Sequence, residues 1–142
     1  MTRPKALPVL ASLLLFLAVH AQARTVSVKL TLQGDRDVKK RIETGIARGL
    51  ADLKDAKRVE KGEDCEIEVI AFNIQSQGGA KLGYAVTAVF LQPFKLQGLN
   101  QPIRHFLGVW TQTGPYESLE THGVNIARYY AKNIHPTLAG KR

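Results

Sequence analysis

Cys65-Glu66-Ile67-Glu68-Val69-Ile70-Ala71-Phe72-Asn73-Ile74, then Gln75-Ser76-Gln77-Gly78-Gly79, then Leu82-Gly83-Tyr84-Ala85-Val86-Thr87-Ala88-Val89-Phe90-Leu91 decide the fold of this chain. Both long runs are rich in β-branched and aromatic residues. In the second, Tyr84, Val86, Ala88 and Phe90 alternate with Gly83, Ala85, Thr87 and Val89. A period of two marks strands, and a Gly-Gly turn between two such runs marks a hairpin.

The pattern extends outward in both directions. Upstream, Val26, Val28, Leu30 and Leu32 alternate with Thr25, Ser27, Lys29 and Thr31, which predicts another strand with one buried face. Val38, Ile42, Ile46, Leu50 and Leu53 then recur every three or four residues, so Asp37 to Leu53 reads as an amphipathic helix. Asp37 near its start and Lys54 past its end suit the helix dipole. Val59 and the run from Cys65 form one extended segment. Downstream, His105 to Thr113 predicts a fourth strand, closed by Gly114-Pro115. A second helix starts near Ser118, with Leu119, Gly123, Ile126, Tyr130 and Ile134 on one face, and stops at His135-Pro136.

The expected order is therefore β-α-β-β-β-α. One apolar face per strand and one stripe per helix predict an α+β fold of two layers. It would be a four-stranded mixed sheet with both helices on one face. Gly45 and Gly49 interrupt the first helix at about 1 kcal/mol each relative to alanine. Close approach to the sheet or to a second helix is the simplest reason for them, and Gly123 belongs to the same reading.

The start of the chain reads as an address. Arg3 and Lys5 precede an apolar run from Leu7 to Val19, and Ala21-Gln22-Ala23 offers small residues for a signal peptidase. The run is about 13 residues, short of the roughly 20 that span a bilayer core. Residues 1–23 are thus expected to be a signal peptide and residues 24–142 a single exported domain, periplasmic or extracellular. Arg24, not a cysteine, stands directly after the expected cleavage point, which argues against a lipid-anchored form and a stable membrane anchor. Cys65 is the only cysteine, so no intramolecular disulfide is possible; its place in an alternating strand suggests a small buried hydrophobe.

Net charge is +8, and loss of Arg3 and Lys5 removes two of those charges. The remaining cations are scattered among acids, without the basic stripe and stacking aromatics that single-strand nucleic-acid binding favours. A solvated basic surface is the expectation, with no specific nucleic-acid partner.

Signals for catalysis are sparse. No HExxH, CxxC or comparable metal-ligand spacing occurs, so neither a metal nor another cofactor is expected. Glu66 and Glu68 share one side of their strand and read as a solvated outer face. Gly78-Gly79 continues as Ala80-Lys81-Leu82 rather than as a phosphate loop. His135 beside Pro136 reads as a helix-terminal cation. An enzyme is the minority reading; the alternative to a binding module is a small hydrolase or ligand-binding protein whose polar site is assembled from distant residues such as His105, Glu117 and His122.

Two features look more like binding. Gln92 to Pro102 is about eleven residues, long for a hairpin connection, and it carries Phe94, Leu96 and Leu99. Either the preceding strand continues past Pro93 and buries them, or they present an apolar tip to a partner. In the following strand Leu107 and Val109 alternate with Phe106, Gly108 and Trp110, and one set must face away from the helices. Trp110 is then either a core residue or an exposed platform. Phe94, Leu96, Leu99 and Trp110 are the candidate partner-binding residues.

The order strand, helix, three strands, helix behind a signal peptide resembles small bacterial envelope domains. Those of penicillin-binding-protein activators, the TolB N-terminal domain and curli secretion proteins are similar. The resemblance covers Arg24 to His135 at the level of element order and implies a non-catalytic binding or accessory domain. Its partner would be another envelope protein.

Overall fold

The computed structural model describes residues 24–140. The expected signal peptide lies outside the described residues. Strand β1 (Val26–Gly34) leads into helix α1 (Arg36–Ala51), then β2 (Ala56–Arg58), β3 (Cys65–Gln75), β4 (Lys81–Phe94) and β5 (Ile103–Gly114). A single 3-10 turn, Tyr116–Ser118, precedes helix α2 (Leu119–Asn133), and helix α3 (His135–Leu138) ends the described chain. The strands form one mixed sheet in the order β2-β1-β3-β4-β5. β1 runs parallel to both its neighbours, whereas β3, β4 and β5 are antiparallel.

The two-layer α+β architecture is as the periodicity requires, with two corrections. The sheet has five strands rather than four. The extra one, Ala56-Lys57-Arg58, is three residues long with two cations, too short and too charged to show alternation. It exists because β1 offers it a free edge, pairing Val26 with Ala56 and Val28 with Arg58. The second correction concerns the C-terminal end. Ile134 leaves the helical ladder at φ −113°, but the chain then starts a fresh turn, with Pro136 in its first positions, where the missing N–H costs nothing.

One core fills the space between the sheet and the two long helices. Val26, Val28, Ile67, Val69, Tyr84, Val86, Ala88 and Phe90 point into it from the sheet. Val38, Ile42, Ile46 and Leu50 meet them from α1, and Leu119, Ile126 and Tyr130 from α2. Cys65 is buried here, and desolvation pushes its thiol up to about 12, so it stays protonated and inert at neutral pH.

The helical glycines face the other helix, not the sheet. A Cβ built on Gly45 would stand 2.9 Å from Gly123 Cα, and one on Gly123 would stand 2.8 Å from Gly45 Cα. On Gly49 it would meet Ala127 Cβ at 2.5 Å. The two backbones thus cross in near contact.

His135 is not an exposed helix-end cation. It is 4 % exposed, its Nε2 lies 2.8 Å from Asp55 Oδ1, and its ring stacks on Tyr130 at 5.5 Å and 8°. It therefore ties the end of the helical layer to the residue that leads into β2.

Candidate functional site

Because the helices cover only one face of the sheet, the other is left open, and the strand register sets what it presents. Ile74, Phe72 and Ile70 on β3 lie opposite Gly83, Ala85 and Thr87 on β4. Ala85, Thr87 and Val89 in turn lie opposite Thr113, Thr111 and Val109 on β5. The small residues of β4 lie between the large apolar side chains of β3 and the threonine and valine side chains of β5, and no described element covers them. Phe72 is 52 % exposed and Phe106 56 %, with Ile70, Ile74 and Val109 also exposed. Thr87 and Thr111 share a hydroxyl hydrogen bond of 3.2 Å within this surface.

A β-bulge decides what β5 contributes. Phe90 pairs with Gly108 but Leu91 pairs with Phe106, leaving Leu107 as the extra residue. Strict alternation across β5 therefore fails. Leu107 and Trp110 both pack against the core, while Phe106 and Val109 both emerge on the open face. Trp110, opposite Ala88, is half-buried on the helix side, with its ring edge-on to His122 at 5.9 Å and 70°. The platform reading of Trp110 on the open face does not match this placement. The apolar residues there are Ile70, Phe72, Ile74, Phe106 and Val109, and the signal that could have found them is the doubly apolar β3, which has large side chains on both faces.

The long loop is placed as a tip. β4 does continue past Pro93, pairing Phe94 with Ile103, but it buries none of the apolar residues: Phe94, Leu96 and Leu99 are all exposed. The loop leaves the sheet beside Arg104, so it adjoins one end of the open face.

That end is polar. Glu66 is 2 % exposed although it lies on the open face, which corrects its reading as a solvated outer residue. Lys29, its neighbour on β1, approaches Glu66 Oε1 at 2.9 Å, and the Thr31 hydroxyl donates to the same oxygen at 2.8 Å. Arg104 reaches across from β5 to Glu66 Oε2 at 3.4 Å and also pairs with Glu68. Burial alone would push the Glu66 carboxyl up, but the hydrogen bonds from Lys29 and Thr31, with the Arg104 charge, hold it below the ordinary carboxylate range. A carboxylate held ionised in this way is a poor general acid; it fixes the cations that frame the apolar surface.

This arrangement has a measurable pH signature. A depressed folded-state pKa contributes stability that is present above the unfolded value and lost as pH falls through the folded one. Glu66→Gln is expected to cost about 1–3 kcal/mol at neutral pH, the usual penalty for unsatisfied buried partners. Half-exposure of Arg104 places the effect towards the lower end. Urea midpoints for parent and variant should converge as pH falls from about 5 towards acid; a constant gap would show that Glu66 does not carry the dependence.

The residues of the alternative, enzymatic reading are not brought together. His105 is exposed near the start of β5, opposite Gln92, whereas His122 packs beside Gly114 at its far end. At roughly 3.3 Å per residue the strand separates them by about 30 Å. Glu117 is exposed on the turn before α2. His122 bonds the Tyr84 hydroxyl through Nδ1, and burial holds its pKa below the ordinary value. Ser118 Oγ lies 3.2 Å from Tyr84 Oη and donates to the Pro115 carbonyl at 2.8 Å. This cluster locks the start of α2, and its hydroxyl proton is already committed. Among the described residues no group of three or more His, Cys, Asp or Glu side chains could hold a metal, and no helix is long and apolar enough to cross a membrane.

The fold and face together define a small two-layer α+β domain with one uncovered apolar sheet surface. No family model and no curated protein matches the sequence. Among solved structures the chain is similar to protein XCC0632 from Xanthomonas campestris, of family DUF330, with a TM-score of 0.53 and 9 % identity over 85 % of this chain and 90 % of that one. It is also similar to a PelC dodecamer from Paraburkholderia phytofirmans (TM-score 0.44, 13 % identity, 77 % and 86 % covered). Rare lipoprotein B from Shewanella oneidensis follows (TM-score 0.29, 13 % identity, 79 % and 97 % covered). The likeness to XCC0632 is one of fold.

Proposed function

We propose that this chain is an exported, non-catalytic binding domain of the bacterial envelope that docks another envelope protein on its open sheet face. The observation that carries this reading is the pair of uncovered apolar groups on the open face, Ile70, Phe72 and Ile74 on β3 and Val109 and Phe106 on β5, bridged by the part-exposed Val89 and Leu91 of β4. Soluble domains seldom leave a contiguous apolar surface of this kind bare, and such surfaces mark interaction sites. Leu96 and Leu99, in the exposed loop beyond β4, adjoin the polar end of this face, whereas Phe94 is exposed on the side of β4 that carries Phe90. Lys29 and Arg104, held in place by Glu66, supply orientation at the rim, where paired charges contribute specificity more than affinity. The Arg3-to-Ala23 segment and the resemblance of the expected element order to small envelope domains support the location.

The test is a pair of substitutions, Phe72→Ser and Phe106→Ser, in one chain. Both side chains are more than half exposed, so the unfolding midpoint should stay close to the parent's. Capture of the partner from an envelope extract should fall at least 30-fold, because apolar anchors at the centre of an interface contribute about 2 kcal/mol or more each. Unimpaired capture by a folded variant would remove the open face from the account.

A further inference from the structure

The two edges of the sheet are built differently. β2, at one edge, has three residues and two cations, the short and charged form that discourages strand pairing. β5, at the other, has twelve residues, and Phe106 to Gly114 contains neither a charge nor a proline. Its outer row of backbone groups faces no other described strand. Val109, Trp110, Thr111 and Thr113 give this edge strong β propensity. The bulge at Leu107 interrupts this edge near its start, but Val109 to Gly114 beyond it carries no such guard, and natural sheets rarely leave such an edge without something pairing to it.

We infer that β5 pairs antiparallel with β5 of a second copy of this chain, joining two five-stranded sheets across a two-fold axis. An uncharged central stretch lets the strand meet itself without like charges opposing one another. Arg104, near the start of β5, is already paired with Glu66 and Glu68 on the open face, and Glu117, exposed and without an ion pair among the described residues, lies just past the strand's end. Antiparallel pairing sets these charged ends beyond the uncharged stretch of the other copy, whereas a parallel arrangement would place Arg104 beside Arg104 and Glu117 beside Glu117. The assembly also closes: once the two long edges are paired, the two short β2 edges face outward and growth stops at two. This interface uses the strand edge and leaves both open faces accessible, so it does not depend on the docking reading above.

Sedimentation equilibrium on the exported chain should give twice the chain mass, and amide exchange across Phe106 to Thr113 should slow as concentration rises. Thr111→Lys places like charges near the two-fold at an exposed position; it should keep the circular dichroism of the parent, sediment as a monomer and lose the concentration dependence of exchange. A parent chain that stays monomeric, or a dimer that survives Thr111→Lys with β5 amides unprotected, would overturn the inference. Should Thr111→Lys fail to fold, the exchange series on the parent decides alone: protection in β5 that does not change with concentration also overturns it. Partner capture lost with Phe72→Ser and Phe106→Ser, while the dimer persists, would separate this interface from the docking surface.

Discussion

Replacing Gly123 with alanine is expected to destabilise the domain by about 3 kcal/mol, even though alanine is the better helix former by about 1 kcal/mol. The new methyl would stand 2.8 Å from Gly45 Cα and 2.9 Å from the Ile46 amide nitrogen. Those are backbone atoms in a helix, so no side chain can swing away to relieve the contact; α1 and α2 must separate. Ile42 and Ile46 on one helix and Ile126 on the other would then lose packing that is complete in the parent. Gly78→Ala is the control, because its Cβ meets nothing nearer than 3.9 Å. Urea denaturation should show a large loss for Gly123→Ala and nearly none for Gly78→Ala. Similar midpoints for the two would mean that the helices cross elsewhere.

A second large effect is expected at Phe90. It is fully buried, with its ring 5.3 Å from Tyr129 and 6.4 Å from Tyr130. Phe90→Ala should cost about 3–5 kcal/mol, the range for removing a buried aromatic. Phe106→Ala should cost no more than about 0.5 kcal/mol, as for other exposed positions. Both residues are phenylalanines on adjacent strands, so the contrast isolates which face the helices cover. Equal losses would mean that the open face is covered by something in solution.

Much of this architecture is legible in the sequence. The hairpin Cys65–Gly79–Leu91, the amphipathic stripe from Val38 to Leu50 and the buried set on α2 follow from periodicity alone, because each element buries a single face. Three features were not legible. β2 is stabilised only by its neighbour, so local pattern is silent about it. The bulge at Leu107 inserts one residue, which puts Leu107 and Trp110 on one side and Phe106 and Val109 on the other, against any strict period. Glu66 looks solvated by alternation, yet Lys29, Thr31 and Arg104, from strands far apart in sequence, close over it. The loop residues Phe94, Leu96 and Leu99 were identifiable by composition, but whether they were buried depended on how far β4 runs beyond Pro93. They are exposed, because the extension of β4 to Phe94 lies beyond the part of the sheet that the helices cover.

The central claim, that a partner docks on the open sheet face, is tested most directly by site-specific photocrosslinking in the envelope of the living host. A photoreactive residue at Phe72 reports on the open face, and one at Arg128, in the groove between α1 and α2, reports on the opposite side. The account predicts a discrete protein adduct from position 72 and none from position 128. Adducts from 128 alone would place the partner on the helical layer and contradict the claim.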